Sequence, residues 1–284
     1  MRPPTQPNRA EWYWLRVSRP RFWLYLLGPS LVGVVAATDT WQVWLNPVVW
    51  FWLLFFTWPA NVFLYGVNDL FDQDTDAHNT KKHTYETRFA TRRSRQMQRL
   101  LAVIALAGLG AGFGLLPLNS WLILGAWFVL SWTYSAPPLR WKSRPFLDAY
   151  SNGLYILPAV LVFVWLSGSW PPAWAILAGW CWSVGMHTFS AIPDIAADQA
   201  GGVHTTATVL GRGRALLWVA GHWLVAIGLA STGLQWWAGL GVLYPAVALY
   251  LWFRPKESVF SWYVWFPYIN AVLGMALFWW VYAQ

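Results

Sequence analysis

Nine apolar segments, separated by shorter polar loops, constrain this chain more than any other feature of its sequence. A helix needs roughly 20 mainly apolar residues to cross a hydrocarbon core about 30 Å thick. The expected spans are Phe22–Ala37, Val48–Val67, Leu100–Leu116, Trp121–Tyr134, Leu147–Leu166, Ala173–Ala191, Ala215–Ser231, Trp236–Phe253 and Val259–Tyr282. Of the 284 residues, 57% are hydrophobic and only 11% are charged, whereas soluble domains usually carry about 25% charged residues. The sequence therefore predicts an all-α, polytopic membrane protein with nine transmembrane helices in a single domain over residues 1–284.

The basic residues give this arrangement an orientation. All 19 Lys and Arg residues lie in the N-terminal segment or after the second, fourth, sixth and eighth spans. The loops on the opposite side contain none; they are Thr38–Pro47, Pro117–Ser120, Ser167–Pro172 and Thr232–Gln235. The positive-inside rule places the N-terminus and the basic loops in the cytoplasm and the C-terminus outside. The net charge of +8 then indicates contact with anionic membrane lipids, and no nucleic-acid partner is expected.

An acidic cluster follows the second span. Asn68, Asp69, Asp72 and Asp76 are separated by short steps of mainly three or four residues, so a continuing helix would place them on one face. Like charges in such a row repel one another unless a cation lies among them. Magnesium takes hard oxygen ligands and bridges carboxylates to substrate phosphates. We expect these four residues to hold one Mg²⁺; the alternative is a solvated acidic loop.

A second acidic pair, Asp194 and Asp198, follows the sixth span on the same side of the membrane. The alternative here is an N-cap at Asp194 and a surface role for Asp198. Together the two clusters predict two Mg²⁺ ions that clamp a diphosphate and make it a better leaving group. An aromatic-lined, water-excluding chamber would stabilise the resulting allylic cation. The five aspartates of the two clusters are therefore the expected catalytic residues.

The pattern Asn68-Asp69-x-x-Asp72-x-x-x-Asp76, the later Asp194-x-x-x-Asp198 and the nine spans resemble the UbiA superfamily of intramembrane prenyltransferases. The resemblance covers essentially the whole chain. It implies a helical bundle around a central cavity, a magnesium-dependent reaction, and a lateral opening through which an apolar acceptor enters from the lipid.

Three stretches resemble the carotenoid-modifying branch of this superfamily more closely: Asn68–Glu86, Thr133–Tyr155 and Met186–Gly211. Enzymes of this branch, the lycopene elongases, add dimethylallyl units to the ends of lycopene, and some also hydrate the product. The YSAPPL segment within the second stretch is similar in chlorophyll synthases and does not discriminate between the two branches.

Six residues outside the acidic clusters are expected to contact the diphosphate. Lys82 and Arg88 follow the first cluster, and ammonium and guanidinium groups pair with phosphate oxygens. The resemblance to the superfamily implies the same role for Arg19 before the first span and for Tyr134, Arg140 and Lys142 at the loop after the fourth. For Arg19, Lys82 and Arg88 the alternative is an anchor that sets membrane topology.

Three polar residues near the expected site remain open. Asp148 and Asn152 either shape the mouth of the cavity or cap and pair helices. His187 is either a proton acceptor or a hydrogen-bonded residue of helix packing. The base that completes the reaction is not identified by the sequence.

The expected reaction is magnesium-dependent transfer of a dimethylallyl group from its diphosphate to the end of a carotenoid such as lycopene. The tertiary cation formed then loses a proton or takes up water. One alternative is a related enzyme that prenylates an aromatic quinone precursor or a chlorophyllide. Two others, from different classes, are a cation transporter and a non-catalytic lipid-binding subunit.

Overall fold

A computed structural model describes residues 13–72 and 93–284, which contain helices and, within these ranges, no strand. The α-helices are α1 (Tyr13–Val17), α2 (Leu24–Ala37), α3 (Pro47–Thr57), α4 (Pro59–Phe71), α5 (Ser94–Leu115), α6 (Leu118–Ser135), α7 (Leu147–Tyr150), α8 (Leu157–Ser167), α9 (Ala173–Ala191), α10 (Ile195–Ala200), α11 (Thr206–Leu234), α12 (Leu243–Phe253), α13 (Val259–Tyr263) and α14 (Phe266–Tyr282). Short 3₁₀ segments join several of them, at Pro20–Phe22, Trp41–Leu45, Trp141–Ser143, Ser151–Ile156, Ile192–Asp194 and Gln235–Val242.

The nine expected spans correspond to helices or to runs of two or three consecutive helical segments. Within the described residues, six helical stretches are long and apolar enough to cross a membrane: Pro20–Ala37, Pro47–Phe71, Ser94–Leu115, Leu147–Ser167, Thr206–Phe253 and Val259–Tyr282. The fifth of these stretches contains two of the expected spans. The remaining two spans are α6, with 18 residues, and α9, with 19 residues. The predicted all-helical membrane fold is thus confirmed.

The second span is broken where α3 ends and α4 begins. Pro59 occupies the first position of α4, and its ring prevents a continuous ladder of backbone hydrogen bonds. The side-chain amide of the buried Asn61 donates to the carbonyl oxygens of Phe56 and Thr57, at 2.9 and 2.8 Å. Backbone acceptors must be satisfied internally where water is absent, so Asn61 makes this break tolerable in an apolar layer.

The seventh span begins earlier than its apolar pattern indicates. Its helix was expected from Ala215, but α11 starts at Thr206. A capping box explains this start: Thr205 and Thr208 each accept a hydrogen bond from the other's backbone N–H, which satisfies donors at the helix end. Gly211, with φ of 67°, then interrupts the helical backbone.

The bundle is held by close packing between long helices. α9 lies along α11, α2 packs against α8 and α14, and α6 also contacts α8. Large aromatic side chains such as Trp52, Trp127 and Trp223 are fully buried between these helices. At the α2–α8 crossing, a Cβ added to Gly33 would lie only 2.6 Å from the backbone oxygen of Ala159. Small residues allow helices to approach this closely in membranes.

Gly33→Ala is therefore expected to destabilise the protein by about 1–3 kcal/mol, the usual penalty for overpacking, because backbone atoms of α8 would have to move. The measurement is thermal unfolding of the detergent-solubilised protein. Gly28→Ala is the matched control on the same helix, since a Cβ at Gly28 would meet no atom within 4 Å. Equal unfolding temperatures for the two variants would contradict the close α2–α8 contact.

Candidate active site

Two adjoining cavities lie among the helices. The first, of about 260 Å³, is called the aromatic cavity here because Phe22, Tyr25, Tyr65, Tyr155, Trp182 and Tyr263 contribute to its wall. The second, of about 200 Å³, is called the polar cavity. The two share six lining residues: Asn68, Asp72, Tyr134, His187, Ser190 and Asp194. Lys142 and Asp198 line the polar cavity only. A chamber with many aromatic side chains in its wall thus joins a chamber rich in charge.

The first acidic cluster lies at the junction of the two cavities. Asn68 is in the last turn of α4, and Asp72 follows the end of that helix. The Lys142 ammonium donates to the Oδ1 atom of Asn68 at 3.3 Å and makes a short hydrogen bond to Oδ1 of Asp72. Ser135 also donates to Oδ1 of Asn68, at 3.1 Å. These two side-chain oxygens therefore converge on a single positive charge.

Asp69 is placed differently from its neighbours in the cluster. Its side chain is only 3% exposed, and its Oδ1 accepts from an Arg19 Nη2 at 2.9 Å. The Arg19 guanidinium in turn lies over the ring of Tyr65, 4.5 Å from its centre. The expected continuous helical face does not extend through the cluster, because α4 ends at Phe71. Asp76, the last member of the predicted set, lies outside the described residues.

The second acidic pair lines the same polar cavity as Asp72. Asp194 ends the 3₁₀ segment at Ile192–Asp194 and Asp198 lies on α10. Asp194 occupies the N-cap position of α10, but its side chain makes no capping hydrogen bond to that helix. The capping alternative therefore does not account for Asp194. The fold brings together two acidic groups that are far apart in the sequence.

The predicted basic and phenolic residues lie around these acids. Tyr134 lines both cavities, and Arg19 lines the aromatic one. An Arg140 Nη2 lies 3.6 Å from Oδ1 of Asp72 and donates to the backbone oxygen of Phe71 at 3.4 Å. Lys82 and Arg88 lie outside the described residues.

Two of these basic residues have an unusual backbone. Arg19 has φ of 48° and Arg140 has φ of 39°, a left-handed conformation that disfavours residues with a Cβ. Backbone strain of this kind persists where the surrounding structure imposes it, and it clusters at functional sites. Both strained arginines contact carboxylates of the first acidic cluster.

The sequence did not decide the roles of Asp148 and His187, and the structure places the two residues side by side. Asp148 is fully buried and accepts hydrogen bonds from the backbone N–H of Thr206, at 3.0 Å, and from its hydroxyl. Thr206 is the first residue of α11, so the helix-pairing interpretation of Asp148 is correct. Nε2 of His187 lies 3.5 Å from Oδ2 of Asp148, and His187 lines both cavities. Asn152 donates to the backbone oxygen of Asp148 at 2.6 Å.

The donor chemistry of the polar cavity suits a hard cation. Carboxylate and amide oxygens of Asn68, Asp72, Asp194 and Asp198 line it, and the Lys142 ammonium already lies at the first two. Residues 13–72 and 93–284 contain no group of three acidic, His or Cys side chains arranged as a metal cluster. Magnesium commonly binds through one or two carboxylates and completes its coordination with water and phosphate. The residues present therefore fit a magnesium ion that is bound together with a phosphate.

The chain is similar to known proteins in both sequence and fold. Residues 26–258 match the profile of the UbiA prenyltransferase family. A protein named lycopene elongase/hydratase from Halobacterium salinarum is 44% identical over 268 residues, covering 93% of this chain and 94% of that protein. Its namesake from Haloferax volcanii is 46% identical over 264 residues, covering 92% and 85%. The solved structure of a UbiA homolog from Archaeoglobus fulgidus, bound to DMAPP and Mg²⁺, has a TM-score of 0.70 at 20% identity and covers 95% of this chain and 99% of that one.

The Arg19–Asp69 pair yields a stability prediction. Removing one partner of a buried ion pair typically costs about 3–5 kcal/mol, because the other charge remains buried. Asp69→Asn is therefore expected to lower the free energy of unfolding by an amount of this order in thermal or denaturant unfolding. Asp39→Asn, in an exposed loop, is the control and should be neutral. Unchanged stability of Asp69→Asn, accompanied by loss of metal-dependent ligand binding, would instead favour the ligand role that the sequence predicted.

Proposed function

Because this chain belongs to the UbiA prenyltransferase family, and is therefore a membrane-embedded prenyltransferase, we propose that it transfers a dimethylallyl group from its diphosphate to the end of a carotenoid such as lycopene. The observation that carries this proposal is the identity of 44–46%, over more than nine-tenths of the chain, to proteins named lycopene elongase/hydratase. The family assignment decides against a transporter and a non-catalytic subunit. An aromatic quinone precursor or a chlorophyllide remains the alternative acceptor.

The polar cavity is the proposed diphosphate site. Asn68, Asp72 and Asp76 would hold one Mg²⁺, and Asp194 with Asp198 would hold the second. When bound, the ions would neutralise the diphosphate and make it a better leaving group. The convergence of Asn68 and Asp72 on one ammonium group supports the first site. Sequence spacing included Asp69 among these ligands, but its bond to Arg19 leads us to assign it the role of orienting that guanidinium.

Basic and phenolic groups near the junction of the two cavities would bind the leaving group. Arg19, Arg140 and Lys142 would donate charge-assisted hydrogen bonds to the phosphate oxygens, and Tyr134 would add a hydroxyl donor. The same role is proposed for Lys82 and Arg88. Arg19 and Lys142 have side chains only 13% and 10% exposed, and charged interactions strengthen as water is excluded.

The aromatic cavity is the proposed place of carbon–carbon bond formation. The bond between C1 of the dimethylallyl group and the diphosphate oxygen breaks, and its electron pair leaves with the diphosphate. The faces of Tyr25, Tyr65, Tyr155 and Trp182 would stabilise the allylic cation, and these large rings would limit the access of water to it. The π electrons of the acceptor's terminal alkene then form the new bond to C1. The resulting tertiary cation loses a proton, or takes up water and then loses a proton.

We propose that the chain forms a single membrane domain whose polar cavity faces the cytoplasm. The segregation of all 19 basic residues on one side supports this orientation. The cavity residues Asp72, Lys142 and Asp198 follow the second, fourth and sixth spans, which end on that same side.

Expression in a lycopene-accumulating bacterial host tests the proposed reaction. The extracted carotenoids should gain one or two five-carbon units, with or without water, as measured by mass spectrometry. Neutralising either acidic cluster should abolish this gain, because each is needed to hold the diphosphate; the variants are Asp72→Asn and Asp198→Asn. Asp39→Asn is the matched control and should leave the gain intact.

Unchanged lycopene from a well-expressed, membrane-inserted wild type would refute the carotenoid acceptor. A screen of quinone precursors and chlorophyllides would then follow. Full conversion by both Asp72→Asn and Asp198→Asn would refute the two-cluster diphosphate site.

Reporter fusions test the orientation. Alkaline phosphatase fused after Gln284 should be active, because the C-terminus is expected outside the cytoplasm. A fusion made after Lys256, in a basic loop, should be inactive although the protein is expressed equally well. The reverse pattern would contradict the proposed topology.

A further inference from the structure

The proposed reaction leaves one proton without an acceptor. After the new carbon–carbon bond forms, the tertiary cation must lose a proton from an adjacent carbon, or water must add to it and then lose a proton. Both outcomes require a base near the aromatic cavity. The carboxylates of the two acidic clusters are committed to cations in the proposed site, so the base has to come from elsewhere. The inference that follows rests on the proposed function.

We propose that His187 is the general base of this reaction and that Asp148 positions it. His187 lies on α9 and lines both the aromatic and the polar cavity. Its side chain is 16% exposed, so it is largely shielded yet reaches the cavity surface. Its ring is nearly perpendicular to that of Tyr134, with ring centres 6.0 Å apart. The imidazole thus lies between the diphosphate site and the chamber where the cation forms.

Hydrogen bonds from α11 compensate for the burial of the Asp148 carboxylate. Its side chain is 0% exposed, and an isolated buried carboxylate is strongly disfavoured. Two donors from Thr206 and the N-terminus of the 29-residue helix α11 offset that penalty. The first residue of α11 binds both carboxylate oxygens of Asp148, and one of these oxygens, Oδ2, also faces His187.

This contact determines which imidazole nitrogen can accept a proton. Nε2 of His187 lies 3.5 Å from Oδ2 of Asp148, which favours a proton on Nε2. The lone pair of the neutral ring is then on Nδ1, because a neutral histidine carries its proton on one nitrogen and its lone pair on the other. The nearby carboxylate also stabilises the imidazolium that forms, as in other carboxylate–histidine pairs.

The step balances without another reactant. In the elongation outcome, Nδ1 takes a proton from a carbon next to the cationic centre, and the electrons of that C–H bond become the new double bond. In the hydration outcome, Nδ1 takes a proton from the water whose oxygen bonds to the cationic carbon. In either case the imidazolium afterwards releases its proton to solvent through the polar cavity.

The tyrosines of the aromatic cavity are weaker candidates for this role. Tyr65 and Tyr155 have their hydroxyl oxygens 3.4 Å apart and are engaged with each other, and neutral phenols are poor proton acceptors. The main alternative to His187 is the departing diphosphate itself, whose oxygens could take the proton. Kinetic comparison of His187 variants distinguishes the imidazole from the diphosphate as the proton acceptor.

The test compares His187→Gln with His222→Gln. His222 is the matched control, since it is also a helical histidine but bonds through its ring nitrogens to the Tyr150 hydroxyl and the Trp218 backbone oxygen. We expect His187→Gln to lower kcat by about 100-fold or more, the usual contribution of a general base. KM for dimethylallyl diphosphate should change little, because His187 is not among the groups proposed to bind the diphosphate. His222→Gln should retain wild-type kcat.

Chemical rescue distinguishes the loss of a base from a folding defect. His187→Ala opens a space in the cavity wall, and added imidazole should restore part of the lost kcat there but not in Asp72→Asn. Wild-type kcat in both His187 variants would overturn the proposal and leave the diphosphate as the base. So would a loss in His187→Ala that imidazole does not restore. If the wild-type enzyme does not convert lycopene, the proposed function is wrong. The His187 variants are then compared with wild type on the acceptor that the wild-type enzyme does convert.

Asp148 requires a variant pair that separates positioning from folding. Asp148→Asn retains an oxygen that can accept from the Thr206 N–H but removes the charge beside His187. Ser151→Ala removes a hydrogen bond to the backbone oxygen of Asp148 and leaves the carboxylate contacts with Thr206 and His187 in place. We expect Asp148→Asn to lower kcat at constant KM and Ser151→Ala to remain near wild type. An equal loss of kcat in both variants would show that Asp148 acts only through the fold.

Discussion

Charge buried among membrane helices has to be neutralised by the protein itself, and this requirement shapes the site. An isolated carboxylate in an apolar environment is so unfavourable that it must be paired or bound to a metal. Asp69 is paired with Arg19, and Asp72 contacts Lys142 and Arg140. Asp148 faces a helix N-terminus instead. Each of these three acids has a partner in the protein, and the partners distinguish Asp72, which lines the cavities, from Asp148, which connects helices.

The breaks between helical segments determine where these charged groups lie. A continuous helix satisfies its own backbone, so every break in an apolar layer needs compensation. The break before Pro59 is compensated by Asn61, and α4 then carries Asn68 to the cavity. The 3₁₀ segment after α9 ends at Asp194. The residues proposed to bind the diphosphate therefore lie at or near helix ends. The aromatic wall comes partly from helices, through Tyr65 and Trp182, and partly from 3₁₀ segments, through Phe22 and Tyr155.

Much of this could be predicted from the sequence. The apolar spans and the one-sided basic loops determine the membrane fold, because bilayer thickness and charge leave few alternatives. The spacing of Asn68 and Asp72, and of Asp194 and Asp198, reveals the acidic clusters locally. The carboxylate–histidine pair was not predictable, since Asp148 and His187 come together only through the packing of α7 and the 3₁₀ turns against α9 and α11. The spacing of residues within the acidic cluster also does not predict the bond between Asp69 and Arg19, because these two residues are 50 positions apart in the sequence.

The polar cavity is proposed to bind a prenyl diphosphate through magnesium and the two acidic clusters. Calorimetric titration of the purified protein in lipid nanodiscs with dimethylallyl thiodiphosphate, which ionises slowly, measures this directly. We expect binding that requires Mg²⁺, is lost in Asp72→Asn and Asp198→Asn, and is unchanged in Asp39→Asn. Equal affinity without Mg²⁺, or undiminished binding by both cavity variants, would contradict it.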